Sequence, residues 1–224
     1  MCTGESYGQK QPPLTDILRS ILERYPDGGQ ILKEIIQNAD DAGASKVSFL
    51  LDSRPSFYGE DSLCAPSLAQ FQGPALYAQN DALFEDSDWE NLERLMRSSK
   101  KDDPLKVGRF GIGFNSVYHM TDLPSIVSGN HIAFLDPHET HFERKETGRR
   151  FSLEDQLLDE WPDQFKPYED VLDCKISTQF YNGTLFRFPL RGALSDLSKK
   201  KYTAEKVHKL FDALKRKPLS FFCS

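Results

Sequence analysis

The sequence predicts an α+β domain: a two-layer sandwich in which helices cover one face of a mostly antiparallel sheet. Three observations carry this. Apolar residues recur at helical spacing over 14–25 and 30–42, alternating segments at 46–52, 126–135 and 184–190 read as strands, and Gly129-Asn130 is a two-residue hairpin signal.

Taken in order, Leu14, Ile17, Leu18, Ile21, Leu22 and Tyr25 make a first amphipathic helix after Pro12-Pro13, closed by Pro26-Asp27-Gly28-Gly29. A second helix covers about 30–42 and stops at Gly43. Lys46–Asp52 reads as a mostly buried strand, 53–74 as loop, and Ala75–Ala78 as a short strand. Ser87-x-x-Glu90 has the form of a capping box, which places a third helix over about 88–97, before the polar connection SSKKDD. Ile126–Ser128 and His131–Leu135 form the hairpin, Thr184–Leu190 is a further strand, and Val207, Leu210, Phe211 and Leu214 mark a last helix. The charged segment 136–172 shows neither period. Residues 10–224 are expected to form one domain, preceded by a flexible segment 1–9.

The 224 residues carry 28 basic and 34 acidic side chains, a net charge of −6. That balance excludes the broad basic surface of a duplex nucleic-acid binder, so any anion must be held in a local pocket. With 38% hydrophobic and 12% aromatic residues the chain is of globular type. It holds no apolar run of membrane-spanning length and no signal-peptide core, so no membrane insertion and a cytoplasmic location are expected. Cys2, Cys64, Cys174 and Cys223 lie far apart without a CxxC pair, which predicts reduced thiols rather than a zinc site or disulfide framework. The bare Met-Cys-Thr-Gly start and the FFCS end suggest a piece of a longer protein.

On the second helix Glu34, Asn38 and Asp41 fall within about 60° of one another, a polar stripe beside the apolar face of Leu32, Ile35, Ile36, Ala39 and Ala42. Such a stripe is commonly just a solvated helix edge. Next to a phosphate site its chemistry is specific, because a carboxylate can take a proton from water and an amide oxygen can ligate magnesium. Gly108-Arg109-Phe110-Gly111-Ile112-Gly113-Phe114, ahead of a helix start at Asn115-Ser116, can turn backbone amides toward an anion. Its G-x-x-G-x-G order is neither the dinucleotide fingerprint nor the P-loop. Asn182-Gly183-Thr184 reads as a turn whose hydroxyl opens a strand.

In order, LKEIIQNADDA at 32–42, GRFGIGF at 108–114 and NGT at 182–184 resemble the boxes of the GHKL (Bergerat-fold) ATPases, which include gyrase, histidine kinases, the ninety-kilodalton heat-shock chaperone and mismatch-repair ATPases. GRFGIGFNS is similar to the chaperone in particular, and the opening 11–42 is closer still to the chaperone-like repeat modules of a giant cytosolic protein. The resemblance implies ATP and magnesium as cofactors. It implies Glu34 as general base, Asn38 as magnesium ligand and Asp41 on the adenine side. It also places Gly108, Phe110, Gly111, Ile112, Gly113 and Phe114 around the phosphates, Arg97 and Ser98 near the nucleotide, and Thr184 reaching the adenine-reading carboxylate through water.

The family's second box, Asp-x-Gly-x-Gly, has no glycine here. The stretch is Gln79-Asn80-Asp81-Ala82-Leu83-Phe84, where either Asn80 or Asp81 can take the aspartate's place. Asp81 is favoured, since only an ionised carboxylate gives a charge-assisted bond. Leu83 and Phe84 put bulk where glycine admits the base, and one lost adenine bond costs about 1–3 kcal/mol. Two functions stand: an ATP-binding and ATP-hydrolysing module of a large chaperone, completed by positive charge from outside this chain, or a degenerate domain serving as a protein-interaction scaffold. Expected partners are adenine nucleotide, other domains of the same protein, and client proteins or co-chaperones, with no nucleic acid. A histidine kinase is disfavoured, because none of the five histidines sits in an evident phosphoacceptor helix.

Overall fold

The computed structural model describes residues 12–55, 62–97, 113–142 and 146–216, with 94–97 described by backbone alone. Its frame is a six-stranded sheet of order β1-β2-β6-β3-β4-β5: β1 (Val47–Asp52), β2 (Ala75–Asn80), β3 (Ser125–Gly129), β4 (His131–Leu135), β5 (Gly148–Ser152) and β6 (Tyr181–Pro189). Every neighbouring pair is antiparallel. Among the described residues four helices longer than two turns accompany it: α1 (Leu14–Arg24), α2 (Gln30–Asp41), α3 (Asp86–Arg97) and α6 (Ala204–Arg216); α4 (Leu157–Glu160) and α5 (Pro162–Phe165) are single turns. None is long and apolar enough to cross a membrane.

The alternation of strand side chains divides the interior into two cores. Leu76, Ala78, Ile126, Ala133, Leu135, Phe186 and Phe188 face the helices, where Leu18, Leu22, Ile31, Leu32, Ile35, Trp89, Leu92, Val207 and Leu210 meet them. This is the expected α+β sandwich. The opposite face is covered too, for Tyr77, Val127, Ile132, Phe134 and Leu185 pack under Leu68, Phe71, Leu153, Leu157, Phe165, Tyr168 and Ile176. Leu68 and Phe71 come from a 3₁₀ helix (Pro66–Phe71) inside the expected loop, Leu153, Leu157, Phe165 and Tyr168 from the segment that showed no period, and Ile176 from just beyond it. That segment also contributes the edge strand β5, which the periodicity did not reveal.

Two expectations are corrected. Helix α3 begins at Asp86, and its capping box lies two residues earlier than Ser87-x-x-Glu90, at Glu85-x-x-Asp88: the buried Asp88 carboxylate accepts the Glu85 amide at 2.9 Å, while Glu85 O accepts the amides of Asp88 and Trp89. After Gly113 there is no α-helix but a six-residue 3₁₀ helix, Phe114–His119, so the dipole behind the glycine loop is that of barely two turns.

Buried polar anchors hold the connections. Arg191 grips Asp122 with Nε and Nη2 at 2.7–3.0 Å and gives further bonds to the carbonyls of Tyr118, His119 and Thr121. Arg187, buried on the second face, donates to Tyr77 Oη and to the carbonyls of Phe71 and Gly73. Lys206 reaches Asp27 at 2.6 Å and ties α6 to the turn before α2.

Candidate functional site

Helix α2 buries Leu32, Ile35 and Ala39 of the expected apolar face and Ile31 beside them, while Ile36 and Ala42 are only half-buried, a small turn of the face that fixes the polar stripe. Glu34 is half-buried; Gln30 Nε2 donates to its Oε1 at 2.8 Å, and its other oxygen lies directly against the Cα of Gly113. A methyl group on Gly113 would overlap Glu34 Oε2 and come within 2.7 Å of its Cδ. Asn38, one turn on, carries a buried Nδ2 that has no partner among the described residues. The Ser116 hydroxyl, on the 3₁₀ helix that packs against α2, is likewise buried without one. Unpartnered buried polar atoms cost free energy, so this corner has the chemistry of a place completed by a polar ligand. Rotating the Asn38 amide exchanges its nitrogen and oxygen, which makes the group equally able to donate to phosphate or to ligate a cation. Asp41 departs from the stripe: it is exposed and accepts from Gln37 Nε2 at 3.0 Å on the helix surface.

At one end of the sheet Asn80 of β2 and Ser128 of β3 both lie opposite Thr184 of β6. The three share the helix-facing side of the sheet with Ala78, Ile126 and Phe186, two positions along each strand. All three are buried, and their hydrogen bonds close among themselves and the following turn. Asn80 Oδ1 accepts the Ala82 amide at 3.0 Å, Thr184 Oγ1 donates to Ala82 O at 2.7 Å, Ser128 Oγ donates to Gly183 O at 2.8 Å, and the Phe84 amide donates to Ser128 Oγ at 2.9 Å. Each hydroxyl has one proton and each is given to a carbonyl, so Thr184 retains none for a ligand. Ser128, which the sequence reading passed over as an ordinary strand residue, is the second post of this turn.

The favoured carboxylate is engaged elsewhere. Asp81 is exposed, and its oxygens accept the Ser45 hydroxyl, the Ser45 amide at 2.8 Å and the Lys46 amide at 3.0 Å, clamping the entrance of β1. The Ser45 hydroxyl and the Lys46 amide hold its carboxyl below the usual range. Of the two alternatives, Asn80 is the one that stands beside Thr184. An amide there offers no charge-assisted acceptor.

Aromatic rings adjoin both groups. Phe114, adjacent to Gly113, is buried at 5.8 Å from Phe186, so its ring belongs to the core and only its backbone is available to an anion. Phe84 also meets Phe186, at 6.1 Å, and packs on Trp89 at 4.8 Å. Arg97 ends α3; Ser98, Gly108, Phe110, Gly111 and Ile112 lie outside the described residues. Among the described residues no three His, Cys, Asp or Glu side chains converge as a metal cluster. Burial pushes the Cys64 and Cys174 thiols up to about 12, so neither is an ionised nucleophile near neutral pH.

The residues therefore fit magnesium and phosphate at Glu34, Asn38 and Gly113, and do not fit adenine at Asn80 and Thr184 in the way the family's second box would. Comparison with known proteins gives a family model described as Sacsin domain, matching residues 11–221. Sacsin of Homo sapiens is 50% identical over 218 residues, which cover 95% of this chain and 5% of that protein. The chain thus spans about a twentieth of the length of the relative it matches.

Proposed function

The chain belongs to the Sacsin domain family, and from that premise we propose that it is a module of a large molecular chaperone or co-chaperone of protein quality control, binding the phosphates of ATP with magnesium. The observation that supports this is the contact of the Glu34 carboxylate with Gly113, one helical turn from the unpartnered Asn38 amide. In this reading the Asn38 amide oxygen would help to hold magnesium, which would supply neutralisation of phosphate charge. Glu34 offers a proton acceptor on a rigid helix at the same end. Gly113, free of a Cβ, lets backbone and carboxylate approach. Positive charge for phosphoryl transfer comes from outside these residues, so hydrolysis by the domain alone is slow.

Calorimetric titration of the chain with Mg·ATP tests this. Binding with a Kd of about millimolar or tighter, abolished by Gly113→Val at an unchanged melting midpoint, supports the reading. Absence of heat from the wild type up to about 10 mM refutes it.

A second reading is favoured by the sheet end, where Asp81, Thr184 and Ser128 are all engaged in the fold. In it the domain is a protein-interaction scaffold, and Glu34→Ala leaves binding to other parts of the same protein or to clients unchanged. Loss of that binding in Glu34→Ala counts against the scaffold.

A further inference from the structure

We infer that Phe84 stands in the place of a ligand's base, so that the domain selects magnesium-bound polyphosphate and is indifferent to the nucleobase. The inference rests on the phosphate-end reading above and adds what lies beyond it. A ligand anchored at Glu34, Asn38 and Gly113 that extended along the helix-facing side of the sheet would reach the hydrogen-bonding groups of Asn80, Ser128 and Thr184. Rings in mutual contact adjoin both ends. Phe114 follows Gly113 in the chain, Phe186 lies 5.8 Å from Phe114 and two residues from Thr184, and Phe84 lies 6.1 Å from Phe186.

Phe84 is the outermost of the three and half-buried, while Phe114 and Phe186 are buried. Its amide is pinned to Ser128 Oγ, which folds the 81–84 turn back over the hydroxyl pair and lays the ring on the aromatic floor. That floor is apolar but not planar: the Phe84 ring meets Phe186 edge-on at 63° and Trp89 at 58°, and so takes up ring surface against which a purine would otherwise pack. The groups that could read base edges are turned to the same turn, for Thr184 donates to Ala82 O and Asn80 accepts from Ala82 N. The hydroxyl protons of Thr184 and Ser128 and the Asn80 carbonyl oxygen are thus spent within the fold, which leaves no charged acceptor at this end to select adenine.

The test uses the 224-residue chain with three magnesium-loaded probes: ATP, GTP and inorganic tripolyphosphate, the last having no base. In the wild type all three are expected to bind within about threefold of one another. Phe84→Ala should raise affinity for ATP and GTP by about tenfold or more, by opening the floor to stacking, while tripolyphosphate is unchanged. Phe84→Leu, which keeps an apolar contact to Trp89, should give a smaller gain in the same direction and serves if the alanine variant fails to fold. A wild type that prefers ATP to tripolyphosphate more than tenfold overturns the inference while leaving the phosphate-end reading standing. So does an ATP-to-tripolyphosphate ratio unmoved in a folded Phe84 variant. If no probe binds the wild type or either variant, the phosphate-end reading itself fails.

Discussion

Two glycines of the site offer the same substitution with opposite costs, and the difference can be worked from their surroundings. Gly183 has φ +149, and a Cβ there would stand 2.6 Å from the backbone oxygen of Asn80. That oxygen belongs to β2, paired to β6 at this point, so relief requires the two strands to part where the Thr184–Ala82 and Ser128–Gly183 bonds form. Left-handed strain of about 1–2 kcal/mol, plus one or two hydrogen bonds at about 1 kcal/mol each, puts Gly183→Ala at about 2–4 kcal/mol. For a domain of this size that lowers Tm by about 4–16 °C. At Gly113 φ is −60, and the obstacle is the end of the Glu34 side chain, which can swing aside. Gly113→Ala therefore costs only the bond from Gln30, under about 1 kcal/mol and within about 4 °C, while displacing Glu34 from the phosphate end. Thermal melts followed by circular dichroism measure both. Equal shifts for the two variants, or a drop below about 2 °C for Gly183→Ala, would refute the reasoning.

Burial raises the Asp122 carboxyl, but His138, Arg191 and Ser195 outweigh it and hold the pKa down to about 2. Because the folded value is depressed, this group's contribution is fully present above the unfolded value of about 4 and is lost as pH falls through the folded value; urea titrations at pH 6 and pH 2.5 should differ by about 1.5 kcal/mol from this group. Asp122→Ala strands the buried Arg191 guanidinium and should cost about 3–5 kcal/mol at neutral pH, visible in the same titrations. Ile35→Asp puts an unpaired carboxylate into the first core and should abolish the native melting transition; a native transition would mean the helix face is misassigned. Asp81→Asn, at an exposed clamp of β1, should leave Mg·ATP heats unchanged, whereas a marked fall would return Asp81 to the ligand.

Much of the frame was legible because its signals are local. The first helix, α2 and its apolar face, the 125–135 hairpin and the last strand all follow from period and turn chemistry, and their boundaries shift by at most a few residues. The segment 136–172 and the turn after it were not legible, for two physical reasons. Its helices are single turns, too short to show a period, and it reverses direction at Glu139, Gln156, Asp170, Leu172, Asp173 and Gln179, all at positive φ without a glycine to announce it. Leu172 at φ +49 is the extreme case, a conformation that tertiary packing imposes on a residue with no local preference for it.

The site divides along the same line. Sequence alone determined that Glu34 and Asn38 share a face of α2 and that glycine stands at 113, since both follow from helical geometry and residue type. Which polar groups remain open to a ligand was decided only when the strands paired. Register set Asn80 and Ser128 on either side of Thr184, and packing sent Asp81 to Ser45 and Phe84 onto Phe186. A side chain's chemistry is intrinsic to its residue, but whether its protons and lone pairs are already spent depends on neighbours brought close from distant parts of the chain.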